Sequence, residues 1–133
     1  MSTLDHIGIT VEHRAESNGR AVLREIETRL ALLLTKGEES NIDLSRLPFG
    51  PGDRALLVKT LGEGEVSAEV NSLGPTQVRE TAIPGVWWVA HYNADDEVMA
   101  EFIEVTRCPA IVRTPQDDLQ DGLKALRALL ETD

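Results

Sequence analysis

The chain has 133 residues, enough for one domain with its own core and too few for two independent cores. A hydrophobic fraction of 41% and a charged fraction of 27% are ordinary globular usage and argue against disorder. Thirteen Lys+Arg against 23 Asp+Glu give a net charge of −10, and the cations are scattered, so phosphate backbones and anionic lipid surfaces are repelled and neither nucleic acid nor membrane is an expected partner.

The single cysteine, Cys108, has no partner for an internal disulfide, which excludes a disulfide scaffold. The N-terminus lacks a basic segment followed by a long apolar one, so no signal peptide is read there. The longest apolar runs, 30–34 and 86–90, fall far short of the roughly 20 residues that span a bilayer. A soluble, cytoplasmic protein is expected.

Residues 1–16 are polar and mixed and read as a loose N-terminal segment, with a hint of a short strand at Ile7 to Val11. Ser17 or Asn18 is a candidate N-cap. Val22, Ile26, Leu30, Leu33 and Leu34 then recur at three- and four-residue steps, an amphipathic helix stopped at Lys36-Gly37. Residues 38–52 read as a connector with turns at Leu47-Pro48 and Gly50-Pro51-Gly52. A short helix follows, with Asp53 in its first turn, Leu57, Val58 and Leu61 on its apolar side, and Gly62 and Gly64 ending it.

Beyond residue 65 the period becomes two. Val66, Ala68 and Val70 alternate with Ser67, Glu69 and Asn71. A turn at 73–76 leads to a second extended segment at 77–83, Pro84-Gly85 to the most apolar one at 86–92, and a polar loop at 93–97 to a fourth at 98–105. Loops this short cannot make parallel crossovers, so the four strands form an antiparallel meander. Thr114 as N-cap, Pro115 at the first helical position and a stripe of Leu119, Leu123, Leu126 and Leu130 predict a closing helix. The fold class is therefore α+β: a single two-layer domain over 1–133, a four-stranded antiparallel meander flanked by N-terminal and C-terminal helices.

Catalytic chemistry is hard to find. His6, His13, His91 and Cys108 are the only soft metal ligands and show no ligand-like spacing. Leu4 to Ile9 resembles the opening strand of glyoxalase-type (vicinal oxygen chelate) enzymes, whose histidine binds metal, but no later His-bearing module follows. Cys108 has Arg107 and Pro109 beside it and no general base. Gly62 and Gly64 follow a helix and precede a strand, the reverse of a dinucleotide-binding order. Asp95, Asp96 and Glu97 fit a turn, and Asp117 and Asp118 fit a helix N-terminus. Glu63 and Glu65 have no such local explanation.

Those two glutamates lie in the string Leu61-Gly62-Glu63-Gly64-Glu65-Val66-Ser67-Ala68. With Glu80-Thr81-Ala82-Ile83-Pro84-Gly85-Val86-Trp87, Ile103-Glu104-Val105 and the lead-in Leu47-Pro48-Phe49-Gly50-Pro51-Gly52-Asp53, it resembles the C-terminal conserved region of the HupH/HyaF hydrogenase expression/formation proteins over roughly 44–130. Several members carry a long N-terminal extension, and this chain resembles a stand-alone version without it. The resemblance implies a non-enzymatic accessory or chaperone role in the maturation of a [NiFe] hydrogenase. The implied partners are a small- or large-subunit precursor and other maturation proteins. The resemblance also implies a nickel-incorporation role, but the chain has three scattered histidines and no His-rich tract, so protein binding is favoured over nickel delivery and no cofactor, metal or catalytic residue is expected.

Trp87 and Trp88 must point to opposite faces of one strand. Trp87, inside the family string, is assigned to the core, and Trp88 is expected to emerge on the far face beside Arg79 or Tyr92 as a protein-binding anchor. Glu63 and Glu65 are read as an acidic lip for a basic segment, such as that of a twin-arginine-bearing small-subunit precursor. Alternatives are a metal-dependent glyoxalase-like enzyme using His6, and a generic homodimeric interaction domain.

Overall fold

In a computed structural model the chain is described over residues 3–72 and 74–132, with side chains from residue 18 onward. The elements are α1 (Thr3–Lys36), β1 (Ser40–Asp43), α2 (Pro51–Leu61), β2 (Ser67–Asn71), β3 (Pro75–Glu80), β4 (Val86–Tyr92), β5 (Val98–Val105) and α3 (Gln116–Glu131), with 3-10 turns at Leu44–Arg46 and Ala110–Val112. The sheet is antiparallel throughout, in the order β1-β5-β4-β3-β2. The fold is α+β as expected, and β2 to β5 are the expected meander.

The sheet has five strands rather than four. The extra strand, β1, comes from the segment read as a connector and pairs Ser40 with Val105 and Ile42 with Ile103. It holds one apolar residue in four, so no local alternation marked it. Its partners lie 59–65 residues away in sequence.

The N-terminal expectation is also corrected. The backbone is helical from Thr3, so 7–11 are not a strand; residues 1 and 2 lie outside the described part. Asn18 does not end the helix as a cap. Its side-chain amide donates to the Pro48 carbonyl at 2.9 Å, and the helix runs on through it. The glyoxalase-like string at 4–9 is thus helical, and the side chain of His6 is not among those described.

α1 and α2 form the helical layer. Val22, Ile26 and Leu33 of α1 and Leu57 and Leu61 of α2 are buried against Val86, Trp88 and Ala90 of β4 and Ile103 and Val105 of β5. Leu34, counted in the α1 stripe, faces solvent instead. The two helices cross at Gly19, where a Cβ would stand 2.9 Å from the Asp53 carbonyl oxygen. Asp53 is buried and locks this crossing: its Oδ1 accepts from Gly19 N at 2.9 Å and its Oδ2 from Gly50 N at 3.0 Å.

The opposite sheet face carries a small cluster of Val78, Trp87 and Val89, with Phe102 against it. The segment after β5 folds back over this face. Trp87 Nε1 donates to the Thr106 carbonyl at 3.1 Å, Pro109 is fully buried, and the turn at Ala110–Val112 reaches β2. Arg113 pins that segment, donating to Glu39 at 2.7 Å and to Thr106 Oγ1 at 2.9 Å.

α3 departs most from expectation. It is a helix, but it does not flank the sheet, and none of its residues is buried. Among the described residues α1 and α2 supply the helical layer, and the segment 106–112 rather than α3 reaches the far-face cluster. Its cap position is Pro115 without a side-chain hydrogen bond, so Thr114 does not act as the N-cap. Among the described residues no helix is long and apolar enough to cross a membrane.

Candidate functional site

The two longest motif strings lock together at one edge of the molecule. Gly64 N donates to the Glu80 carbonyl at 2.8 Å, Glu80 N to the Val66 carbonyl at 2.8 Å, and Ala82 N to the Leu61 carbonyl at 2.7 Å. Two glycines permit this. Gly62 takes φ +62°, and a Cβ on Gly64 would lie 2.5 Å from the Thr81 carbonyl oxygen. Thr81 closes the turn from within, its Oγ1 donating to the Val86 carbonyl at 2.8 Å.

Between α2 and this edge lies a groove of about 200 Å³. Val58 and Val66 form its apolar walls, Trp88 contributes to its floor, and Glu63, Glu65, Glu80 and Arg79 stand around it. Val58 and Val66 are each about half exposed, at 48% and 50%. Arg79 Nη1 lies 3.7 Å from Glu63 Oε1, a loose pair in which Glu63 is 86% exposed, so little holds that carboxylate in place. The three glutamates against one arginine leave the rim net negative.

Of the five predicted site residues, four line this groove: Trp88, Glu63, Glu65 and Arg79. Arg79 sits directly opposite Trp88 in the β3–β4 register. Tyr92 does not join them. It lies at the far end of β4, half-buried against the helix-side core.

The expectation that Trp88 emerges is corrected. It is 4% exposed and packs under the helices, while Trp87, also buried, occupies the opposite face. The alternation was right and the assignment of faces was inverted. What fixes Trp88 is a pair that sequence reasoning missed. Its Nε1 donates to Glu101 Oε2 at 2.8 Å, and the Arg54 guanidinium stands 5.5 Å from the ring centroid. Arg54 in turn makes a two-point pair with Glu101, at 3.2 and 2.9 Å. Burial pushes the Glu101 carboxyl up, but the hydrogen bonds from Arg54 and Trp88 and the nearby Arg54 and Arg79 charges together hold it below the usual carboxylate range. The hydrogen bond to Glu101 likewise raises Arg54. The one signal in the sequence was that Glu101 shares strand parity with Ile103 and Val105, which puts a carboxylate on the core face.

The remaining candidates are held in structural roles. His91 lies on the far face, its Nδ1 2.8 Å from Thr76 Oγ1 and its ring edge-on to Phe102. Cys108 belongs to the covering segment, where its N–H donates to Thr106 Oγ1 at 3.2 Å. Among the described residues, no three His, Cys, Asp or Glu side chains group as a metal site requires.

Residues 17–132 match the family described as HupH hydrogenase expression protein, C-terminal conserved region. The chain belongs to the HupH C-terminal family. A solved structure of this family, the hydrogenase expression protein HupH from Thiobacillus denitrificans, is similar with a TM-score of 0.83 and 43% identity, covering 86% of this chain and 96% of that one. The hydrogenase expression/formation protein HoxQ of Azotobacter vinelandii is 37% identical over 90 residues, 68% of this chain and 32% of its own length. HupH of Rhodobacter capsulatus is 33% identical over 114 residues, 86% of this chain and 41% of its own. The chain thus spans about a third to two fifths of these two relatives. The interlocked glycine strings and the groove they frame fall inside the region matched to the HupH family.

Proposed function

We propose that this protein is a non-enzymatic accessory factor in the maturation of a [NiFe] hydrogenase, holding a subunit precursor through the groove between α2 and the β2–β3 edge. Its HupH-family membership and the names of its relatives as hydrogenase expression/formation proteins support the pathway. The observation that carries the binding mode is the groove itself: apolar walls at Val58 and Val66, an indole floor at Trp88, and an acidic rim at Glu63, Glu65 and Glu80.

Such a groove suits an extended segment that alternates apolar and basic side chains. An apolar side chain buries against the valines and the indole edge, and a neighbouring Lys or Arg meets the exposed rim carboxylates. Rim charges set on-rate and specificity more than raw affinity, so capture is expected to weaken with salt. The basic leader of a twin-arginine-bearing small-subunit precursor has this chemistry. The reaction site and its metals belong to the hydrogenase, and the role proposed here is to keep an unfinished client from wrong contacts.

Trp88→Ala is a poor probe, because truncating a buried tryptophan costs about 3–5 kcal/mol of stability. The informative variant is the double charge reversal Glu63→Lys/Glu65→Lys, whose side chains are exposed. In reciprocal pull-downs against each subunit precursor, it should lose at least about tenfold in capture, equivalent to about 1.4 kcal/mol, with an unchanged thermal midpoint. Capture equal to that of the unmodified chain would remove the groove from the mechanism.

A further inference from the structure

α3 is a helix that buries nothing, yet it is strongly two-faced. Leu119, Leu123, Leu126 and Leu130 are 50–71% exposed, and Leu129 beside them 70%. A 16-residue helix with Gly122 in its interior is marginal in water without a packing partner. The spacing of the leucines says what kind of partner it lacks. Steps of four, three and four residues form a narrow seam of period 3.5, the pattern that meets another helix rather than a broad sheet.

We infer that α3 is a self-association helix, which pairs antiparallel with α3 of a second copy of this chain. The seam is self-complementary in that direction. Leu119 falls opposite Leu130 and Leu123 opposite Leu126, each twice, giving four leucine layers. Leu129 falls beside Gly122 of the second copy, where the absence of a side chain leaves room; a Cβ there would meet nothing within 4 Å. Charge favours the same direction. The first half of α3 carries Asp117, Asp118 and Asp121, and the second half carries Lys124 and Arg127. Antiparallel pairing sets acidic against basic halves and opposes the helix dipoles, whereas parallel pairing sets like against like. Glu131 is the acidic exception in the second half, and it falls near the positive N-terminal end of the second helix.

The interface is small. A helix of about 24 Å with four layers falls below the roughly 800 Å² per partner of a standard-size interface, so association is on the order of micromolar or weaker.

Sedimentation equilibrium of the full chain over roughly a thousandfold concentration range up to the order of 500 µM tests this. A reversible monomer–dimer equilibrium is expected, weakened at least tenfold by Leu123→Asp or by Leu126→Asp. The thermal transition of the body should stay in place, since α3 contributes nothing to the core. In a Cys108→Ser background, chains carrying Gln120→Cys and chains carrying Arg127→Cys should form the mixed disulfide on gentle oxidation in preference to either homodisulfide. A monomer at every concentration, or self-association indifferent to both leucine variants, would overturn the inference. A predominant Arg127→Cys homodisulfide would overturn the antiparallel direction. A monomeric chain whose Leu123→Asp variant loses capture of a hydrogenase subunit would also overturn it, by giving the stripe to the client. None of these variants touches the groove residues, so failure here is distinguishable from failure of the proposed client site.

Discussion

At the scale of single residues, the groove floor depends on a carboxylate placed on the core side of the sheet. Glu101 is tolerable there because Arg54 and the Trp88 indole satisfy it. Arg54→Ala strips Glu101 of its cation and should cost about 1–3 kcal/mol, read as a lower urea midpoint at pH 7. The same geometry sets a pH dependence. With its folded-state pKa below the ordinary value, Glu101 contributes in full above the usual carboxylate pKa of about 4.3, and that contribution is lost as pH falls through the lower, folded value.

Glu104, three residues on and facing the other way, has the opposite sign. Burial raises its carboxyl, an effect His91 and Arg113 only partly offset and Glu39 reinforces. The folded state holds that proton longer than the unfolded chain does, so stability is lost as pH rises from about 4.3 through the raised value. Glu104→Gln should therefore raise the thermal midpoint at pH 7 and leave it nearly unchanged at pH 3. An equal shift at both would show that packing, not ionisation, decides. Neither role was legible beforehand: strand parity separates Glu101 from Glu104, but which face the helices cover was needed to say which carboxylate meets Arg54. The same missing fact inverted the two tryptophans.

At the scale of elements, the glycine strings are legible in sequence because they do local work with long-range partners. Gly64 must lack a side chain to let the segment before β2 lie on Thr81. Gly64→Ala should cost about 1–3 kcal/mol through overpacking and backbone shift, measured as a lower thermal midpoint. A neutral substitution would mean that the edge is not fixed as described. Gly85 takes φ +90° close to Leu30 and anchors the other end of the same turn. Strongly periodic elements, α1 beyond residue 18 and β2 to β5, were readable from spacing alone. β1 was not, because a four-residue strand with one apolar side chain is defined by its partner β5. For α3 the spacing gave the helix and its stripe, but nothing in the stripe says whether it is covered from within the chain or from outside.

At the scale of the whole molecule, α1 and α2 cover the β4–β5 part of one sheet face and residues 106–112 pack on part of the other, while Ser67, Glu69 and Gln77 toward the β2 edge stay exposed. Two surfaces stand out among the described residues, a groove at one edge and a leucine-striped helix. The expectation that Trp88 emerges on the far face as an anchor is replaced by these two surfaces, and four of the five residues chosen from sequence still meet at the first. Arg79 beside Trp88 follows from adjacent antiparallel strands, whereas Glu63 and Glu65 are brought to them by the backbone hydrogen bonds of Gly64 and Val66 with Glu80, which no local pattern encodes. The most direct measurement is a titration of the purified chain with the basic leader peptide of the small-subunit precursor, followed by NMR on the two indole N–H signals and the backbone amides. If the groove is the client site, the Trp88 indole and the amides of 63–67 shift together and saturably, while the Trp87 indole, tied to Thr106 on the opposite face, stays put. No saturable shift, or shifts confined to residues away from the groove, would contradict it.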